Sequence, residues 1–258
     1  MLPGDSYLRR LPAGLDRYQR LIVESLVTAS DMASVALARL ERAAMTLDVK
    51  APAEISRPLR VGMLSDAWTV VDAIHASRLL LGALGSDQVK VLAAEYLDLT
   101  KPAWSMRNDM DHLPQKLGNF ARRRGVVQPL YGSVRYVRAT GQGQYTIITL
   151  PFASAVEEWA ALILTPETIV SEGVTSIHLE AFGHDFALQP ACENLRHLLE
   201  QIAAVIEPML IDGLTKASGG DPEELAKALT PLGMDLVMSL SFQPHAEDVA
   251  GVPQITAS

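Results

Sequence analysis

Residues 104–125, WSMRNDMDHLPQKLGNFARRRG, hold the densest set of chemically capable side chains in the chain. Arg107, Asn108, Asp109, Asp111 and His112 fall within six positions, and an amphipathic helix then runs on to Arg122, Arg123 and Arg124. The stretch decides the fold because the hydrophobic period changes across it. Upstream, apolar residues recur every three or four positions, as a helix buried on one face requires. Downstream of Gly125 they alternate, as in a half-buried strand.

Working upstream, residues 1–14 carry Pro3, Gly4, Pro12 and Gly14 and read as a loose arm. Asp16 opens a helix to about Leu47, with Leu15, Tyr18, Ile22, Leu26, Ala29, Ala33, Ala36, Leu40 and Ala44 on one stripe. Pro52 and Pro58 break the pattern. A second helix from Pro58 to Leu84 is apolar over more than one stripe and reads as central in a bundle; Asp72, His75 and Arg78 share one of its faces. A short helix, Asp87 to Leu97, leads to the focal stretch.

Working downstream, Ser133 to Arg138 alternates, and Gly141-Gln142-Gly143 turns into QYTIITLP. The segment AVEEWAALIL fits a short helix or a strand. Gly173 leads into VTSIHLEAF, a turn, and FALQP, a second hairpin. A long helix follows from Pro190 to about Ala217, with Pro208 inside it. A short helix capped by Asp221, a last possible strand at GMDLVMSLSF and a polar tail complete the chain. The fold class is therefore α+β, mainly α, with about four antiparallel strands inserted into a helical bundle. Residues 1–124 form the bundle, 125–189 the β region, and 190–258 the final core helix with its extension, all read as one domain.

Cys192 is the only cysteine, so neither an internal disulfide nor a thiolate zinc cage can form. An intracellular, reducing compartment, the cytoplasm, is expected. The N-terminus lacks the apolar core of a signal peptide, and no apolar run approaches the ~20 residues a bilayer demands, so no membrane partner is expected. Net charge is −8, unevenly placed. Residues 1–138 hold 19 Lys and Arg against 14 Asp and Glu; residues 139–258 hold 3 against 16. The basic half surrounds the focal stretch, which keeps nucleic acid open as a partner. Solvated helix faces account for the same charges equally simply.

The cluster itself suits RNA cleavage by the 2′-hydroxyl. That reaction needs a group that exchanges protons near neutral pH, which histidine does, and a fixed cation on the phosphate, which arginine's planar fork provides. Asn108 lies one turn before His112 and can orient it or bind phosphate. Arg107 and His112 are five apart, about 140° round a straight helix. They converge only where the turn is irregular, and Pro114 disfavours helical geometry at Leu113. Trp104 and Tyr131 can stack bases, although aromatics in such places are more often core. In a plainer reading, Ser105 or Asp109 caps the helix, Arg107 pairs with Asp111, and His112 is an ordinary satisfied histidine.

Arg107, Asn108 and His112, written R-N-x-x-x-H, in a chain of long amphipathic helices, resemble the HEPN superfamily (higher eukaryotes and prokaryotes nucleotide-binding domains). The resemblance covers roughly residues 16–124 and 190–217; the β region stands outside it. It implies a helical bundle and a metal-independent ribonuclease of toxin or defence type without a cofactor, with Arg107, Asn108 and His112 catalytic. It also implies a homodimer that shares the site between protomers, and assistance from a polar residue on an earlier helix, for which Asp72 with His75 is the candidate. RNA contacts would fall to Arg122, Arg123, Arg124 and Tyr131. The alternative is a non-catalytic, dimeric HEPN-like scaffold that meets a protein partner through the β insertion or the acidic C-terminal half.

Other groups carry less. Asp72 and His75 with Asp109 and His112 would make a carboxylate–imidazole metal set only if the two helices were in register; no metal is expected. His178 and His184 flank a hairpin turn and are expected in solvent, as is His197. Cys192 reads as a small buried hydrophobe. No phosphate-binding loop, nucleophile elbow or dinucleotide fingerprint is present.

Overall fold

A computed structural model describes residues 6–9, 11, 17–47, 55–122, 131–141, 144–151, 173–217, 219–221 and 223–224. The possible helix or strand at AVEEWAALIL, the last strand at GMDLVMSLSF and the tail lie outside the described residues. So do Arg123, Arg124 and the side chain of Arg122.

After a 3-10 turn at Tyr7–Arg9 come α1 (Arg17–Thr46), α2 (Arg57–Ala83), α3 (Asp87–Leu99), α4 (Lys101–Asp111) and α5 (Leu113–Arg122). Four strands follow, β1 (Ser133–Gly141), β2 (Gln144–Pro151), β3 (Gly173–Ala181) and β4 (His184–Ala187), and then α6 (Leu188–Ala217). The chain is α+β and mainly α, with an antiparallel sheet inserted before the last long helix. The sheet order is β2-β1-β3-β4.

The helices begin where the sequence supplies caps. Ser56 accepts from Leu59 N at the start of α2, with Pro58 in its first turn, and Ser86 accepts from Val89 N at the start of α3. The buried face of α1 intersperses Ala29, Ala33, Ala36 and Ala44 among Ile22, Leu26 and Leu40, and α2, which buries Ala67, Val70 and Ile74, packs along it. By length and composition α1 could cross a membrane, with a mean hydropathy of 1.5 over its best window. A buried core helix meets the same test, and Glu24 and Asp31 interrupt the stretch at helical spacing. Here its apolar face packs against α2 and α6. α6 closes the core with Leu195, Leu198, Leu199 and Ile202, and runs on past Pro208.

One face of the sheet meets the helices through Val134, Tyr136, Leu179 and Phe186, all buried. Arg138 on that face donates to the carbonyls of Ala44, Met45 and Leu47 at 3.4, 3.2 and 2.6 Å. A cation on the last carbonyls of α1 satisfies acceptors the helix leaves open. Gln189 completes the join, accepting from Ile177 N at 3.1 Å and donating to Glu41 at 2.8 Å.

Candidate functional site at the seam of α2 and α4

The joint before α4 fixes where the cluster lies. Thr100 ends α3 and starts α4, and its buried hydroxyl donates to Tyr96 O at 2.6 Å. Arg78 of α2 donates to that hydroxyl at 2.6 Å and to the carbonyl of Leu97. Six residues back along α2, Asp72 meets Arg107. The two helices therefore run antiparallel, with Ala103 and Met106 of α4 turned into the core.

Arg107 sits at the seam with its side chain 35% exposed. Its Nε lies 3.2 Å from Asp72 Oδ1, and one terminal nitrogen lies 3.1 Å from Asp111 Oδ1. His75, one turn on from Asp72, lies in the same electrostatic neighbourhood. Burial and then the Arg107 charge hold its imidazole below the usual histidine range, against the opposing pull of Asp111 and Asp72. Its Nδ1 is buried, and among the described residues no hydrogen-bond partner reaches it. Burial also pushes the Asp72 carboxyl above the ordinary carboxylate range, with Arg107 and His75 pulling it back only in part.

His112 is exposed and forms the break between α4 and α5, at φ −102° and ψ 20°. Its N–H still donates to Asn108 O at 3.2 Å, and its carbonyl accepts from Gln115 N and Lys116 N, opening α5. The irregularity expected at Leu113 thus falls one residue earlier, because Pro114 is tolerated in the first turn of α5. Helical bonding persists through the N–H of His112, so its position lies about 140° round α4 from Arg107. Asn108 is exposed on the same strip as His112.

The structure therefore brings Arg107 together with Asp72, His75 and Asp111, and leaves Asn108 and His112 on the adjoining exposed strip. The ion pair between Arg107 and Asp111 is the contact the plainer reading expected. Asp109 does not cap the helix. Its carboxylate is paired with Lys116 of α5 and lies 3.4 Å from His184 Nε2 of the β3–β4 hairpin. That placement corrects the expectation that His184 faces solvent, and it takes Asp109 away from Asp72 and His75.

His178 is corrected likewise. Its Nδ1 lies 2.9 Å from Asp185 Oδ1, in a cluster on the sheet face away from the helices. Arg135, nearly buried, reaches Asp185 at 2.9 Å and Glu180 at 3.5 Å. Burial raises the Asp185 carboxyl, but the His178 hydrogen bond and the charges of His178 and Arg135 outweigh it and hold the group low. Sequence reading missed this set. Its signal was cross-strand register, Arg135 opposite His178 and Glu180 opposite Asp185, which is invisible until the strands are paired.

Trp104 and Tyr131 are 48% and 50% exposed, so neither is core. Cys192 is buried, and burial with nearby Glu41 and Glu193 pushes its thiol up to about 12. It is inert as a nucleophile. No family model matches the chain, and no curated protein or solved structure matches it.

Proposed function

We propose that the chain is a HEPN-like, metal-independent ribonuclease acting as a homodimer. The 2′-oxygen attacks the neighbouring phosphorus, the bond from phosphorus to the 5′-oxygen breaks, and a 2′,3′-cyclic phosphate is left. The attacking hydroxyl gives up a proton to a base, and the departing oxygen gains one from an acid. The observation that carries this reading is Arg107: half-exposed, gripped by Asp72 and Asp111, beside exposed Asn108 and His112.

Each residue then has a task. Asp72 holds the Nε edge of Arg107. Asp111, which meets a terminal nitrogen of the fork, is the partner that a phosphate oxygen replaces, giving the planar fork an anion of matching geometry. His112 exchanges protons with the sugar or the leaving oxygen, and Asn108 supports it. His75, uncharged at neutral pH, assists Arg107 without adding a competing cation. Since Arg107 and His112 diverge round α4, a second copy presenting its own His112 to Arg107 completes the site.

The test is RNA incubated with the pure protein and a chelator, beside Arg107→Ala and His112→Ala. Loss of one positioned group is expected to slow cleavage about 100- to 1,000-fold. Intact RNA with the wild type, or equal cleavage by the variants, overturns the reading.

A second reading, a non-catalytic dimeric scaffold, draws on a different observation. Two carboxylates neutralise Arg107, and α1 exposes Tyr18, Leu21, Met32 and Val35. A groove beside Asp72, walled by Thr28, Met32, Ala76 and Leu80, continues that surface. Under this reading the protein sediments as a dimer, cuts no RNA, and Met32→Glu makes it monomeric.

A further inference from the structure

We infer that Trp104 and Tyr131 bracket Arg107 as stacking platforms, so that the site takes single-stranded nucleic acid with a base on each side of the phosphate at Arg107. This rests on the same site as the proposed ribonuclease and names how its substrate is held.

The placement follows from the antiparallel seam. On α4, Trp104 precedes Arg107 by three residues, about 4.5 Å along the axis and 60° round it, on the side of the seam toward His75. Asn108 and His112 continue the same exposed strip one and two turns further on. On α2, Trp68 lies one turn before Asp72 and so stands at the opposite end of the seam. Its indole N–H donates to the Tyr131 carbonyl at 2.9 Å, and its ring meets Phe182 edge-on at 6.2 Å. The backbone at Tyr131 is thereby fixed close to Asp72.

The next residue must be glycine: Gly132 has φ 92°, and a Cβ there would meet Glu180 O at 2.4 Å, so the backbone after Tyr131 packs directly against β3. One aromatic is therefore carried by α4, one turn before Arg107, and the other follows a carbonyl held by Trp68, one turn of α2 before Asp72, the partner of Arg107.

The surroundings favour a base over a protein side chain. Protein hot spots set aromatics in dry apolar pockets. Trp104 stands instead on an exposed helix strip that continues through Asn108 and His112, one and two turns further on. That arrangement suits a flat, polar-edged base, whose stacking on aromatics is independent of sequence. A duplex, with its bases already stacked, offers nothing to either ring.

The experiment uses the full chain and a short single-stranded 2′-O-methyl oligonucleotide, which cannot be cut through its own 2′-oxygen. Trp104→Ala and Tyr131→Ala are each expected to weaken binding about 5- to 100-fold, while Trp104→Phe and Tyr131→Phe retain most of it. Circular dichroism checks that each variant is folded. The matching duplex should bind more weakly, and affinity should fall only gently with salt, with a slope of ~0.7 per phosphate contacted.

Wild-type protein that binds no oligonucleotide, alanine variants within twofold of wild type, or a duplex bound equally well would each overturn the inference. The first result would assign the aromatics to a protein contact. The two proposals fail separately. Binding that follows the aromatics while RNA stays intact removes the ribonuclease and keeps the platform. Cleavage whose KM ignores both aromatics removes the platform and keeps the ribonuclease.

Discussion

The molecule uses one set of side chains twice. At the seam of α2 and α4, Arg107 is paired with Asp72 and Asp111, with His75 alongside. On the outer face of the sheet, Arg135 is paired with Asp185 and Glu180, with His178 alongside. The difference is exposure: 35% for the Arg107 side chain against 6% for Arg135. A buried charge cannot leave its partners without a large desolvation penalty, so the sheet cluster is fixed. A half-exposed one changes partners at little cost, because water stabilises either arrangement. The same chemistry is thus a rivet in one place and an exchangeable anion site in the other.

The sharpest way to break that contrast is to remove each arginine. Arg135→Ala should destabilise the fold by ~2–3 kcal/mol, since it removes a nearly buried charge and its hydrogen bond to Asp185. Arg107→Ala should cost under ~1 kcal/mol, and both values are read from urea unfolding. Equal losses would erase the distinction.

Next in size is Gly132→Ala, which abuts the sheet cluster at Glu180. A methyl at φ 92° clashing with that carbonyl should cost ~2 kcal/mol or more. A thermal melt within a degree of wild type would mean that the turn has another conformation to adopt.

Smaller is the effect of freeing each arginine of one carboxylate. Asp111→Asn should tighten binding of the uncleavable oligonucleotide about two- to fivefold, because Arg107 no longer has to shed a competing anion. Asp185→Asn should leave that affinity unchanged and lower stability instead. An unaltered affinity in Asp111→Asn would separate Arg107 from the phosphate.

The smallest effects lie in pH. His75 titrates lower when folded, so the unfolded chain binds more protons between the two values. Stability should therefore decline as pH falls below the ordinary histidine value of ~6.5 and level off below the folded value. His75→Gln should flatten that decline. Asp185 is also held low, but as a carboxylate. Its contribution is complete above ~3.9 and is lost as pH falls through the folded value. Melting temperatures followed from neutral to acid pH should thus step in two separate windows, the lower one absent in Asp185→Asn.

The helices were readable because burial on one face imposes a period no other structure shares. The stripe through Ile22, Leu26, Ala33 and Leu40 places α1, and the starts read at Pro58 and Asp87 fall within a residue of those of α2 and α3. The hairpins were readable from alternation and glycine. The break at His112 was foreseen within a residue, since Pro114 constrains the backbone wherever it stands. What could not be read was which side each acidic residue of α4 would face in company. Asp109 and Asp111 are two apart and look equivalent in the sequence. One meets Lys116 and His184, the other Arg107.

The sequence by itself determined the order of helices and strands, the cluster at Arg107 to His112, and the inert place of Cys192. These follow from local periodicity, turn chemistry and side-chain type. Tertiary structure alone decided that α2 and α4 run antiparallel, so that Asp72 and His75 fall beside Arg107 while Trp104 and Tyr131 stand clear of the core. It also decided that Arg135, remote in sequence from Glu180 and Asp185, is buried against both. Pairings between distant segments are set by how the hydrophobic faces stack, and no residue carries that information within its own neighbourhood.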